Sequence, residues 1–286
     1  MMKKKKILIT GTGSGFAKDA AIRLAELGHT VIATVEIMSQ VSVLEQELRD
    51  KKLKITVEKL DVTSEIDRKK AFEHDIDILI SNAGISEGGA VVDLPEENIR
   101  RQFEVNVFGT IFLIQGFAKH FVKKKKGRII SISSIAGLSV APFTGAYSAS
   151  KHALEAFSEA MYKELREFGV EVCTINPGPY LTGFNDRMFE APSYWKKDKK
   201  ENVFDYDKIN FPDYQFNPDE VVEKIIAVAT DKITTYRNVL PDPKVTAVKD
   251  EESESWTRDY TKDLGKRHKA VQMAYKMKPG TKVKGY

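Results

Sequence analysis

A tyrosine and a lysine four residues apart, Tyr147 and Lys151, are the pair in this sequence best suited to acid–base chemistry. On a helix that spacing puts both side chains on one face, one turn apart. A free phenol has a pKa near ~10 and is a poor base at neutral pH. A neighbouring ammonium favours the phenolate, so the spacing predicts a lowered pKa for Tyr147 and a group able to give or take a hydroxyl proton. Ser134 stands thirteen positions before Tyr147. Its hydroxyl could hydrogen-bond a substrate oxygen and stabilise charge developing there. Alone the pair is a weak signal, because Tyr-x-x-x-Lys arises by chance and a helical lysine is usually only solvated.

A second candidate is the run Thr10-Gly11-Thr12-Gly13-Ser14-Gly15-Phe16-Ala17. Glycines between a strand and a helix let the backbone approach a pyrophosphate, and the helix N-terminus offers unpaired amides and partial positive charge. The G-x-G-x-x-G spacing fails, since its last position falls on Phe16. T-G-x-x-x-G-x-G fits, except that its last glycine is Ala17, a perturbation of one methyl group. A glycine-rich turn that binds nothing is the competing reading, and the loop needs its context to decide.

The elements that must position these groups alternate. Strands are predicted at 5–10, 30–35, 54–60, 76–81, 128–133, 170–176 and 235–240. Helices are predicted at 15–28, 39–51, 64–74, 95–122, 146–168 and 218–230. Such alternation implies an α/β fold, a doubly wound parallel sheet of Rossmann type with helices on both faces and right-handed crossovers. Ligands then bind at the carboxyl ends of the strands, near the switch point. After Pro177 the pattern breaks. Residues 183–216 hold Phe184, Phe189, Tyr194, Trp195, Phe204, Tyr206, Phe211, Tyr214 and Phe216 with no single period. We expect one catalytic domain over 1–243 and a C-terminal extension over 244–286.

Composition bounds the function classes. The chain has 286 residues, 42% hydrophobic and 30% charged, with a formal net charge of +4, as a soluble globular protein does. That charge does not call for nucleic acid. The single cysteine, Cys173, excludes an intrachain disulfide and a Cys-x-x-Cys metal site, and no metal is expected. Four lysines near the start resemble the basic part of a signal peptide, but the apolar run Ile7-Leu8-Ile9 is too short for its core of about 7–15 residues. No stretch of ~20 apolar residues stands out as a membrane span. A cytoplasmic location is expected. The basic end (KMKPGTKVKGY) reads as a solvated tail rather than a nucleic-acid or membrane contact.

In order and separation these motifs resemble the short-chain dehydrogenase/reductase family, over about residues 5–182. The resemblance rests on the glycine loop, Asp61-Val62, Ser81-Asn82-Ala83-Gly84, Asn106 within FEVNVFGT, Ser134 within ISSIAG, YSASK at 147–151, and Pro177-Gly178. It implies hydride transfer between a nicotinamide cofactor and an alcohol or ketone. Tyr147 would be the general acid/base, and Lys151 would bind the nicotinamide ribose and depress the tyrosine pKa. Ser134 would hold the reacting oxygen, and Asn106 would support a proton relay through water. Gly11, Gly15 and the backbone near Phe16 would carry the pyrophosphate. Asp61 and Val62 would border the adenine, with Asn82, Ala83 and Gly84 on the adenosine side. Pro177, Gly178 and Thr182 would meet the nicotinamide amide. The usual Asn-Asn-Ala-Gly reads Ser-Asn-Ala-Gly here.

The segment after the second strand separates NAD from NADP. An acidic group there accepts from the ribose 2′-hydroxyl and repels a 2′-phosphate. The family's NAD-marking aspartate aligns near Thr34, where it is absent, but Glu36 follows and no lysine or arginine is close. NAD is therefore favoured over NADP. The aromatics of 183–216 would form a lid and imply a fairly apolar alcohol or ketone; the competing reading is that they pack the lid onto the sheet. Helices 95–122 and 146–168 resemble the family's subunit interface, so a homodimer or homotetramer is expected. A dinucleotide-binding regulatory or interaction protein is the alternative on the same fold.

Overall fold

The structure is a computed structural model that describes residues 3–197, 201–210 and 215–277. Phe211, Tyr214 and most of the basic C-terminal run lie outside the described residues. Seven strands form one sheet: β1 (Lys6–Thr10), β2 (Thr30–Val35), β3 (Thr56–Lys59), β4 (Ile78–Ser81), β5 (Gly127–Ile132), β6 (Val170–Pro177) and β7 (Arg237–Leu240). Their order is β3-β2-β1-β4-β5-β6-β7, and every pairing is parallel. The expected doubly wound sheet is thus the fold. Its order reverses between β1 and β4, where a crevice must open at the strand ends.

The helices are α1 (Gly15–Glu26), α2 (Met38–Asp50), α3 (Glu65–Ala71), α4 (Glu96–Phe103), α5 (Thr110–Lys124), α6 (Gly145–Glu164), α7 (Phe184–Glu190), α8 (Pro192–Trp195), α9 (Asp219–Ala229), α10 (Lys244–Ser255) and α11 (Lys269–Lys276). They bury both faces of the sheet, which is why its strands read as continuous apolar runs. Successive residues of β1 point opposite ways. Ile7 and Ile9 join Leu24, Leu44 and Ile225 on one face, while Leu8 joins Leu113, Phe117 and Leu154 on the other. Each such side chain, fully buried, contributes about 1.5–3 kcal/mol.

Two helices differ from expectation. The predicted helix 95–122 is α4 and α5 joined by a π-helical turn at Glu104–Gly109. There the Thr110 hydroxyl donates to Val105 O at 3.0 Å, five residues back. The extra residue per turn moves Asn106 into the interior, where it is fully buried; such bulges recur at functional sites. The predicted helix 146–168 stops at Glu164 and finishes as a 3₁₀ turn at Arg166–Phe168, with Gly169 in the left-handed region.

The run Glu96–Lys124 is also long and apolar enough, by composition, to cross a membrane, although charged residues interrupt it. Here it is a core helix: Ile111, Leu113, Ile114, Phe117 and Phe121 are buried against the sheet.

The aperiodic segment 183–216 contains α7 and α8. Five of its described aromatics divide between two jobs, while Tyr194 is exposed and Phe216 packs on Tyr180. Trp195 packs edge-on to Tyr206 at 5.0 Å, and Phe204 edge-on to Phe143 at 5.2 Å. The Tyr206 hydroxyl accepts from Ala90 N at 3.1 Å and donates to Asp93 at 3.0 Å. These contacts fasten the lid to the body. Phe184 and Phe189 line the cleft instead. Beyond residue 243, α11 lies on this lid: Asn210 N donates to Ala274 O at 2.9 Å, and Asp205 N to the Tyr275 hydroxyl at 3.0 Å.

Candidate active site

A cleft of about 450 Å³ runs along the carboxyl ends of the central strands. At one end lies the turn between β1 and α1. Gly11 and Gly15 adopt φ of +71° and +62°, which side-chain-bearing residues rarely take. A Cβ on Gly11 would stand 3.0 Å from Ala83 Cα, and one on Gly15 would stand 3.3 Å from Thr182 Cβ. The loop is thus pressed between the β4 turn and the start of the lid. Thr10 ties β1 to β4: its hydroxyl accepts from Asn82 N and Ala83 N, both at 2.9 Å. Thr12 ties the loop to β2 through Thr34 O at 2.9 Å. The glycine-lined cradle and the start of α1 form a seat that a pyrophosphate fits.

Every site residue named from the sequence except Asn106 lines this cleft: Gly11, Gly15, Phe16, Glu36, Asp61, Val62, Asn82, Ala83, Gly84, Ser134, Tyr147, Lys151, Pro177, Gly178 and Thr182. Asn106 stands just behind the wall. Its amide donates to Ile85 O at 2.8 Å and to Ser150 Oγ at 3.0 Å, and its oxygen accepts from Ile85 N at 2.8 Å. It pins the β4 turn rather than only its own helix. Gly84 separates it from Lys151: a Cβ there would lie 3.1 Å from Asn106 Oδ1 and 3.7 Å from Lys151 Nζ. Asp61 is partly a turn residue, with Oδ1 accepting from the Thr63 amide at 2.9 Å and hydroxyl at 2.7 Å.

The end of the cleft expected to take the adenosine lies beside β2. Thr34, the expected place of an NAD-marking acid, is buried, and its hydroxyl donates to Ile9 O at 3.1 Å. Glu36, directly after β2, faces the cleft. Its backbone N–H and that of Ile37 donate to Gln40 Oε1 at 3.1 and 3.2 Å, which shapes the turn there. Among the described residues, the lysine and arginine side chains lining the cleft are Lys151 and Arg187 alone. Lys151 sits on the α6 floor and Arg187 on the lid helix α7.

At the other end Tyr147 and Lys151 project from the first two turns of α6, and both are buried. Lys151 Nζ lies 5.9 Å from the centre of the Tyr147 ring and donates to Ile132 O, the last carbonyl of β5, at 3.1 Å. Ser134 Oγ accepts from Ala136 N at 3.1 Å, donates to Pro177 O at 3.3 Å, and is within hydrogen-bonding reach of the Tyr147 phenol. Burial pushes that phenol up to about 12, and Ser134 pulls it down by less. The same burial pushes the Lys151 ammonium down to about 8, with the Glu155 carboxylate pulling it back. The expectation that Lys151 brings the phenol below its ordinary value is therefore overturned. Desolvation disfavours each charged form, and it is the largest cause at both residues.

Sequence reasoning did not pick out Phe184 individually; its ring packs 5.7 Å from that of Tyr147. It also missed Ile132, whose carbonyl seats Lys151, and Gln40, which shapes the turn bearing Glu36. No local pattern marks a backbone acceptor. Phe184 was visible only as one aromatic among many.

The profile of the short chain dehydrogenase family matches residues 5–193. Over 191 residues the chain is 38% identical to the 3-ketodihydrosphingosine reductase of Bacteroides thetaiotaomicron, covering 65% of this chain and 67% of that protein. Over 193 residues it is 32% identical to the diacetyl reductase [(S)-acetoin forming] of Staphylococcus epidermidis, covering 65% and 75%. In fold it is similar to a short chain dehydrogenase/reductase from Burkholderia phymatum in complex with NAD. That likeness has a TM-score of 0.75 at 21% identity and covers 92% of this chain and 98% of the other. An actinorhodin polyketide ketoreductase with NADPH gives a TM-score of 0.70 at 25% identity, covering 84% and 97%.

Proposed function

We propose, because the chain belongs to the short-chain dehydrogenase/reductase family, that Tyr147 is the acid/base of its reaction, Ser134 the holder of the reacting oxygen and Lys151 the support for both tyrosine and cofactor. The protein is an NAD(P)-dependent oxidoreductase acting on an alcohol or ketone. The observation that carries the assignment is the meeting of Ser134, Tyr147, Lys151 and the glycine cradle in one cleft.

When bound, the nicotinamide supplies or accepts the hydride. The chain's own groups manage the oxygen. With the phenol pushed up to about 12, Tyr147 is protonated at neutral pH, the state that donates a proton to a carbonyl oxygen. The Ser134 hydroxyl, turned from Pro177 O toward the substrate, donates a second hydrogen bond and stabilises charge growing on that oxygen. Lys151, below its depressed value of about 8, remains charged and stabilises the phenolate left behind. Asn106 holds the β4 turn from which a water relay to Lys151 would run. Asn82, Ala83 and Gly84 would hold the adenosine side, and Pro177, Gly178 and Thr182 the nicotinamide amide. Two of the relatives are reductases by name, which agrees with a protonated Tyr147 acting as acid.

The oxygen-bearing carbon would sit beneath Ile85, Pro142, Phe184, Met188 and Phe189, all of which line the cleft. That wall suits a fairly apolar alcohol or ketone. Phe108, Phe112 and Phe157 stand 44%, 46% and 45% exposed on the π-turn, α5 and α6, and support pairing of this face in a homodimer or homotetramer.

For the cofactor we assign NAD. Glu36 directly follows β2, faces the cleft and would repel a 2′-phosphate, and among the described residues no lysine or arginine lining the cleft lies beside it in the β2–α2 turn. The expected result is a kcat/KM with NADH roughly tenfold above that with NADPH, equivalent to about 1.4 kcal/mol. Glu36→Arg should narrow or reverse the ratio. Steady-state kinetics with both cofactors on a panel of apolar ketones tests substrate class and cofactor together, and a clear NADPH preference in the unaltered protein contradicts the assignment.

A further inference from the structure

Glu155 is a buried carboxylate for which the reaction, as described, has no use. It lies one helical turn beyond Lys151 on α6 and is 5% exposed. A carboxylate so placed is costly unless it is paired, and here it has two hydrogen-bonded partners. Oε1 accepts from Asn176 Nδ2, on β6, at 2.6 Å. Oε2 accepts from the Arg237 guanidinium, on β7, at 3.1 Å. Toward the cleft, one turn back on the same helix, stands Lys151, whose ammonium feels the Glu155 charge.

The Asn176 amide carries the contact onward. It also donates to Ser134 O at 3.3 Å, while its own oxygen accepts from the Thr174 hydroxyl at 3.0 Å, which fixes its orientation. The turn after Ser134 rests on the same side chain: a Cβ on Gly137 would stand 3.1 Å from Glu155 Cγ and 3.0 Å from Lys151 O. One carboxylate therefore touches the backbone seat of the serine through a single intervening amide, and it flanks the lysine.

We propose that Glu155 is a positioning residue for the reaction, supplying the counter-charge for the buried Lys151 ammonium and, through Asn176, setting the turn that presents Ser134. The proposal rests on the roles assigned above to Lys151 and Ser134. The groups that act on Glu155 are Lys151 on its own helix, Asn176 on β6, and Tyr236 and Arg237 on β7. Among them Lys151 and Arg237 are the cations. Glu155 is the charge that pulls the Lys151 ammonium upward against burial, and Arg237, itself 3.9 Å from Glu159, competes for that carboxylate. A merely structural ion pair between α6 and β7 would behave differently. Breaking it from either side would lower stability alike and leave the proton chemistry alone.

The test is the alkaline limb of kcat/KM for carbonyl reduction, which follows loss of the Lys151 proton. Glu155→Gln keeps the acceptor for Asn176 and removes the charge, so the limb should move toward acid by about one pH unit. Arg237→Gln breaks the same ion pair but leaves the carboxylate to Lys151 alone, so the limb should move toward alkali. Opposite displacements establish the proposal. Limbs that stay in place in both variants, or move together, overturn it. If Glu155→Gln fails to fold, Arg237→Gln decides alone, and an unmoved or acid-shifted limb overturns the proposal. Failure of the underlying roles looks different, because Tyr147→Phe would then retain turnover.

Discussion

Tyr147→Phe is expected to lower kcat by about 10²–10⁴-fold, the range contributed by a positioned acid or base. Affinity for the dinucleotide should stay within about a factor of two, since a lost hydroxyl that acts on the transition state does not weaken ground-state binding. The structure supports a clean separation of the two effects. The phenol faces the cleft, while its ring is held by Phe184 on one side and α6 on the other, contacts that phenylalanine keeps. Loss of the hydroxyl leaves Ser134 its hydrogen bonds to Ala136 N and Pro177 O, so no buried donor is orphaned. Cofactor binding followed by fluorescence, beside turnover of the best ketone, reads both numbers. Turnover within tenfold of the unaltered protein contradicts the acid/base role.

Lys151→Met should fail in a different way. The substitution removes the ammonium that stabilises the phenolate and contacts the cofactor ribose, so kcat should fall by about 10²–10³-fold while the dissociation constant of the cofactor rises about tenfold or more. Stability should not fall with it. Burial has pushed this ammonium down to about 8, so below that pH the folded state carries a charge it holds at a cost. The unfolded lysine keeps its proton to a higher pH than the folded one, and between the two values stability therefore rises with pH. Methionine of similar volume removes that cost, and Glu155, which loses the nearby ammonium, keeps its bonds to Asn176 and Arg237. The carbonyl of Ile132 loses its donor, which offsets part of the gain. Thermal melts near neutral pH that match or exceed the unaltered protein, with activity lost, separate a functional lysine from a structural one. A large drop in melting temperature would assign Lys151 to the fold instead.

Much of the site was legible because spacing along one element fixes geometry. Four residues on α6 place Tyr147 above Lys151, and glycines between β1 and α1 leave room for an anion whatever surrounds them. The order of strands and helices was legible for the same reason, since two-residue and 3.6-residue periods are local. What was not legible depends on neighbours distant in sequence. The π-turn at Glu104–Gly109 leaves no mark in the apolar pattern, yet it decides that Asn106 reaches Ile85 and not solvent. The direction of the Tyr147 shift was misread because spacing reports the nearby ammonium and says nothing of burial, the larger effect. Glu36 was named from the sequence as the acid beside the cofactor; that Thr34, two residues earlier, is buried and Glu36 lines the cleft depends on the pairing of β2 with β1. Glu155 could have been suspected from its place one turn beyond Lys151; its bond to Asn176 joins two elements that only the folded sheet brings together.

Direct transfer of hydride in this cleft is measured with reduced nicotinamide carrying deuterium at C4 and a ketone from the panel. The account predicts that the alcohol carries the deuterium on its carbinol carbon, from one face of the nicotinamide only, and that Tyr147→Phe forms almost none. Alcohol formed without the label, or a protein that binds the dinucleotide and leaves every ketone and alcohol unchanged, would contradict it.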